Sequence, residues 1–158
     1  MKTEHNLKSL TELELQIQNR ISEFNGKRSE NQSSNKFFTM SQMCLGAFTT
    51  LLIAINAKFT YFPITIAALV ASSLATLSGQ ILSKFMYPER MAVNIATACA
   101  LYELAHDITM DRKKEEDDKS KHEITLKKVD NYQGRYQQIL NTANGQWQKN
   151  IHKTSKNK

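Results

Sequence analysis

Along the N-terminal arm, apolar side chains recur at steps of three and four: Leu7, Leu10, Leu13, Ile17, Ile21 and Phe24. That spacing puts them on one face of an amphipathic helix. Gly26 and the polar stretch from Ser29 to Asn35 predict an interruption before the pattern changes. Two uncharged runs follow, Phe37 to Ala57 (21 residues) and Phe59 to Ser83 (25 residues), separated by Lys58. At about 1.5 Å per helical residue, each can cross a hydrocarbon core of about 30 Å. Pro88 then permits a new helix, in which Met91, Ile95, Ala98, Leu101 or Tyr102, Ala105 and Ile108 keep helical spacing to about Asp111. The mixed-charge run Arg112 to Lys121 reads as a solvated helix end or linker without a binding role. From about Glu123 the pattern resumes as Leu126, Val129, Tyr132, Tyr136, Ile139, Ala143 and Trp147, near a heptad, as in a coiled-coil partner helix. The basic end, His152 to Lys158, is expected to fray.

The predicted fold class is therefore all-α. A cytoplasmic amphipathic helix (1–35) leads into a transmembrane helical hairpin (36–84), and a cytoplasmic helical region of two helices follows (85–158). Five Gly and two Pro agree with a helical chain, because β-rich folds and flexible linkers need more of both. The three amphipathic helices must bury their stripes against one another or against a neighbouring subunit, since a lone helix of this kind is marginal in water.

Charge sharpens the membrane reading. From Asn31 to Pro88 there is no acidic residue, so all 15 lie outside those 58 positions, and the stretch holds only Lys36, Lys58 and Lys84 as cations. The first 36 residues are too polar for a cleavable signal peptide, so the first run is expected to serve as an uncleaved anchor. Arg20, Lys27, Arg28, Lys36, Lys84 and Arg90 flank the runs, whereas the turn has only Lys58. The positive-inside bias then predicts a multi-pass membrane protein with both termini cytoplasmic. The net charge of +6 is explained by attraction to anionic lipid headgroups, and no direct nucleic-acid binding is expected. Lys58 beside Phe59, Tyr61 and Phe62 reads as an interfacial anchor, and Pro63 suits the first turn of the second span.

The spans carry more than lipid-facing residues. In the first, Thr39, Gln42, Gly46, Thr49, Ile53 and Asn56 share a face that is polar or small at every position but Ile53. In the second, Thr65, Ser72, Thr76 and Gln80 form a polar stripe beside a ladder of small residues, Ala67, Ala71, Ala75, Gly79 and Ser83. Small residues let helix backbones approach closely, so these faces suit the seam of the hairpin. Alternatively, in an oligomer one polar stripe lines water, either Gln42, Thr49 and Asn56 or Ser72 and Thr76, and neutral groups make a weakly selective pore. Neither run holds a charged residue, which argues against a proton relay, voltage sensor or ion-coupled transporter. A soluble bundle with the Phe37 to Ser83 hairpin as its core is a third reading.

Catalytic chemistry is sparse. There is no phosphate-binding glycine loop, nucleophile elbow or HExxH. His5, His106, His122 and His152 are scattered, and Glu115 to Asp118 lack the spacing of an EF-hand. No enzyme activity, metal or cofactor is expected. Cys44 and Cys99 lie too far apart along the elements for an intrachain bridge. Tyr132, Tyr136, Ile139 and Trp147 read as core or interface side chains of the cytoplasmic helices, with no base-stacking platform.

The layout resembles the SLATT families, two-transmembrane effector proteins associated with nucleotide-synthesising and SLOG sensor genes. The resemblance rests on Asn35-Lys36-Phe37-Phe38 at the entry to the first span, the short Lys58 turn, and Lys84-Phe85-Met86-Tyr87-Pro88-Glu89-Arg90 at the exit. Leu101-Tyr102-Glu103-Leu104 and the terminal helix with Tyr136-Gln137-Gln138-Ile139-Leu140 complete it. It implies a membrane effector of antiphage defence, acting by abortive infection, that oligomerises and permeabilises the bacterial inner (cell) membrane when a sensor partner is triggered. That partner would be a nucleotide-synthesising enzyme, a SLOG protein or a reverse transcriptase. The signal is expected to arrive through the partner or through a groove between the soluble helices. The alternative is a non-enzymatic scaffold that holds a soluble partner at the bilayer.

Overall fold

A computed structural model describes residues 7–59 and 61–156, with side chains through residue 149. His5 and the side chains of His152 to Lys158 lie outside the described residues. Five helices follow in order: α1 (Lys8–Phe59), α2 (Phe62–Phe85), α3 (Tyr87–Asp117), α4 (Lys119–His122) and α5 (Leu126–Lys156). No strand occurs among the described residues, and the fold is all-α.

The expected interruption at Gly26 and Ser29 to Asn35 is absent, because α1 continues through it as helix. Glycine in a helix interior costs only about 1 kcal/mol, and Ser, Asn and Gln are weak helix formers without being breakers; proline alone would stop the helix, and none is present. The chain divides into two units, one of Met1–Arg28 with Met91–Lys158 and one of Ser29–Arg90.

The first unit is a helical bundle with one apolar core. Leu10, Leu13, Ile17 and Ile21 of α1, Leu101, Leu104 and Ile108 of α3, and Val129, Tyr132 and Tyr136 of α5 are buried together with Ile124. Each stripe read from the sequence thus covers another stripe of the same chain, worth about 1.5–3 kcal/mol for each fully buried large aliphatic side chain. Polar contacts fix the register around this core. Arg112 Nη1 donates to both carboxylate oxygens of Glu14, at 3.2 and 3.1 Å, and Arg135 Nη1 donates to Asp107 Oδ2 at 2.8 Å. The Tyr132 hydroxyl donates to Asp111 Oδ2.

Helix α3 runs to Asp117, about six residues beyond the predicted end. Arg112 lies in that extension, half-buried and docked on α1, which corrects its reading as a solvated position. After α4, the Ile124 amide donates to Glu115 Oε1 at 3.1 Å, seating buried Ile124 under the turn into α5.

The second unit is the hairpin made by the second half of α1 and by α2. Tyr61 is extended and Pro63 opens the first turn of α2. At the far end, Met86 adopts a left-handed backbone (φ 49°, ψ 45°) and separates α2 from α3. Flanking it, the Phe85 and Tyr87 rings stack at 5.8 Å, and Phe38 stacks on Tyr87 at 6.3 Å.

Candidate membrane-embedded site

Two helices are long and apolar enough to cross a membrane. In the most apolar stretch of the first no residue is buried, and in that of the second 17% are. Met43, Phe48, Leu51, Ile53, Leu69 and Val70 are all more than half exposed. The hairpin is thus not a buried core within this chain, and apolar exposure on this scale is what a bilayer or a partner covers. Aromatic rings cluster at both ends, Phe37, Phe38, Phe85 and Tyr87 at one and Phe59, Tyr61 and Phe62 at the other. From Phe38 to Phe59 the helical rise is about 31 Å, the thickness of a hydrocarbon core. Lys58 Nζ sits 5.6 Å from the Phe59 ring centroid, an arrangement suited to the headgroup layer.

Within the hairpin the two polar stripes meet. Near the turn, Asn56 Nδ2 donates to Thr65 Oγ1 at 2.9 Å. At the other end, the Gln42 amide lies against Gly79, so that a Cβ on Gly79 would come within 2.8 Å of Gln42 Nε2. Between these contacts opens a cleft of about 290 Å³, lined by Gln42, Gly46 and Thr49 of α1 and by Ser72, Ala75 and Thr76 of α2. The small residues create the space and the polar ones give it its chemistry. At about 30 Å³ per molecule, it has room for several waters.

Most of these hydroxyls are satisfied within their own helix. Thr49 donates to the Leu45 carbonyl at 2.8 Å, Thr76 to Ser72 at 3.0 Å and buried Ser78 to Leu74 at 2.9 Å. Such back-bonding lets a hydroxyl exist in hydrocarbon, where every donor needs a partner inside the protein. Asn56 Oδ1 is buried without a protein partner.

The remaining sequence-derived positions fall as follows. Ala71, Ala75 and Gly79 face the seam, whereas Ala67 is exposed and its place is taken by buried Ala68, which the sequence reading did not single out. Thr39 is half-buried, and Gln80 is exposed. Tyr132 and Tyr136 are buried in the bundle core, Ile139 packs on it, and Trp147 is half-buried. Cys44 and Cys99 are free and exposed.

The bundle holds a second concavity, a groove of about 240 Å³ between α3 and α5, whose lining includes Ala96, Thr97, Ala100, Gln138, Thr142 and Gln146. One helical turn before Thr97, the wholly buried Asn94 has neither amide atom hydrogen bonded to protein. Burial raises the Tyr132 hydroxyl well above its ordinary range, reinforced by the hydrogen bond to Asp111. For Asp111, burial opposes ionisation, but Tyr132, Lys128 at 3.0 Å and Lys114 at 3.5 Å prevail and hold its carboxyl below the usual range. Among the described residues, no three His, Cys, Asp or Glu side chains gather in a way that could hold a metal ion.

No family model, curated protein or solved structure matches the chain.

Proposed function

We propose that the chain is a membrane effector, anchored by the α1–α2 hairpin, whose copies assemble and permeabilise the bilayer. The observation that carries this reading is the neutral cleft of Gln42, Thr49, Ser72 and Thr76, with room for several waters, set in two helices whose other exposed side chains are mainly apolar. Two spans cannot enclose a channel, so conduction requires several subunits. The resemblance of the sequence layout to the SLATT families supports placing that activity in abortive infection at the bacterial inner membrane, with a nucleotide-synthesising enzyme, SLOG protein or reverse transcriptase as sensor. The groove between α3 and α5 is the place where such a signal would enter the bundle.

Residues on both sides of the hairpin share one apolar core, which supports a topology with both ends of the hairpin on the same side of the bilayer. The excess of flanking cations over the single Lys58 supports the cytoplasmic side. The test is release of a trapped dye from phospholipid vesicles containing the purified full-length chain, with crosslinking to count subunits. Leakage that rises with oligomer formation supports the proposal, and oligomers in tight vesicles contradict it.

A specific observation favours a second reading, a membrane scaffold for a soluble partner. Thr49, Thr76 and Ser78 spend their protons on their own helices and Asn56 is paired with Thr65, so these groups also suit a closed seam.

A further inference from the structure

We infer that the two polar stripes form one continuous wall on a single side of the hairpin, facing the lumen of the assembly, and that the path they line passes small hydrated ions of either sign. The inference rests on the permeabilising reading and adds to it the orientation of the hairpin and the class of solute.

The wall follows from rotation about the helices. In α2, at about 100° per residue, Thr76 stands about 40° and Gln80 about 80° round from Ser72, and all three are exposed. In α1, Gln42 stands about 20° and exposed Thr50 about 100° round from Thr49. The cleft joins the two sets, because Gln42 and Thr49 line it together with Ser72 and Thr76. Round the rest of the two spans the exposed side chains are mainly apolar: Leu51 of α1 stands about 160° round from Thr49, and Ala67, Val70 and Leu74 of α2 stand about 140–160° round from Ser72. Asn56 is not part of the wall, since its amide is spent on Thr65 in the seam.

An exposed glutamine amide in hydrocarbon costs several kcal/mol unless it meets water or another polar group. The partner that supplies both at this depth is a second copy of the same hairpin, which brings the same neutral donors and acceptors and encloses water with them. Thr50 donates to the Gly46 carbonyl at 3.1 Å and Thr76 to Ser72, so the wall presents hydroxyl oxygens and the two-sided amides of Gln42 and Gln80. With no ionised group on it, the wall has no means of rejecting one sign of charge.

The test uses the full-length chain with Cys99→Ser, reconstituted in vesicles of phosphatidylethanolamine and phosphatidylglycerol and probed with a membrane-impermeant maleimide. Native Cys44, on the apolar side, is the internal control. Single substitutions Ser72→Cys, Thr76→Cys and Gln80→Cys are expected to react at least about tenfold faster than Ala67→Cys or Leu74→Cys, as water reaches only the polar side. Modification of Thr76→Cys should abolish ion flux, and the unmodified chain should give a reversal potential near zero across a potassium chloride gradient. Equal or inverted labelling of the two sides would overturn the wall, and strong preference for one ion sign would overturn its neutral character. Labelling of the polar side without flux from any variant would uphold the wetted face and sink the permeabilising reading instead.

Discussion

Asn56 and Thr65 are joined across the hairpin turn by a hydrogen bond of 2.9 Å from the amide to the threonine hydroxyl. Thr65→Val keeps the shape of the side chain and removes the acceptor, leaving a half-buried amide with no partner. The expected cost is about 1 kcal/mol, in the range of interhelical polar contacts in membranes. Thermal unfolding in detergent micelles checks it, with Thr65→Ser near wild type. Equal stability of all three would show that the bond contributes nothing to the seam.

Gly79 marks the other end of the seam. The nearest atoms a methyl group there would meet are the far end of the flexible Gln42 side chain, so Gly79→Ala should be tolerated with a shifted amide. Gly79→Leu must push the helices apart, at about 1–3 kcal/mol. Comparing the two variants by resistance to unfolding in detergent separates close helix approach from helix propensity, because leucine and alanine are both good helix formers.

In the bundle, Asn94 has no exposure and its amide has no protein partner. A buried amide in that state costs about 1–3 kcal/mol. Asn94→Leu, nearly isosteric, is expected to raise the melting temperature of the bundle measured by circular dichroism. A lower melting temperature would mean that the amide contributes more than its burial costs.

The paired carboxylate of Asp111 makes stability depend on pH. Its folded value lies below the ordinary 3.8, so its contribution is fully present above that value and is lost as pH falls through the folded one. Melting temperature should therefore hold from neutral pH down to about 4 and drop below it, and Asp111→Asn should reduce the drop. An acid profile identical in the variant would contradict the pairing with Tyr132, Lys128 and Lys114.

The hairpin was legible because 58 residues without an acid, holding two uncharged runs with Lys58 alone between them, leave few alternatives to two apolar helices. Its seam was less so. Ala67, Ala71, Ala75 and Gly79 look like one ladder, but each step of four residues drifts about 40° round the helix, so Ala67 lies about 120° from Gly79 and faces outward. Arg112 was read as solvated because its sequence neighbours are charged. Its partner Glu14 is 98 residues away, a relationship that periodicity does not carry. The cleft was invisible for the same reason, since Gln42 and Ser72 are brought together only by the register that the turn sets.

The central claim is tested most directly by recording membrane potential and propidium entry in bacteria during induced expression, with Ser72→Leu alongside at matched membrane abundance. Depolarisation and dye entry with the wild type, both lost with Ser72→Leu, are the predicted result. An intact potential with the wild type inserted and assembled in the membrane would contradict the account and leave the scaffold reading in its place.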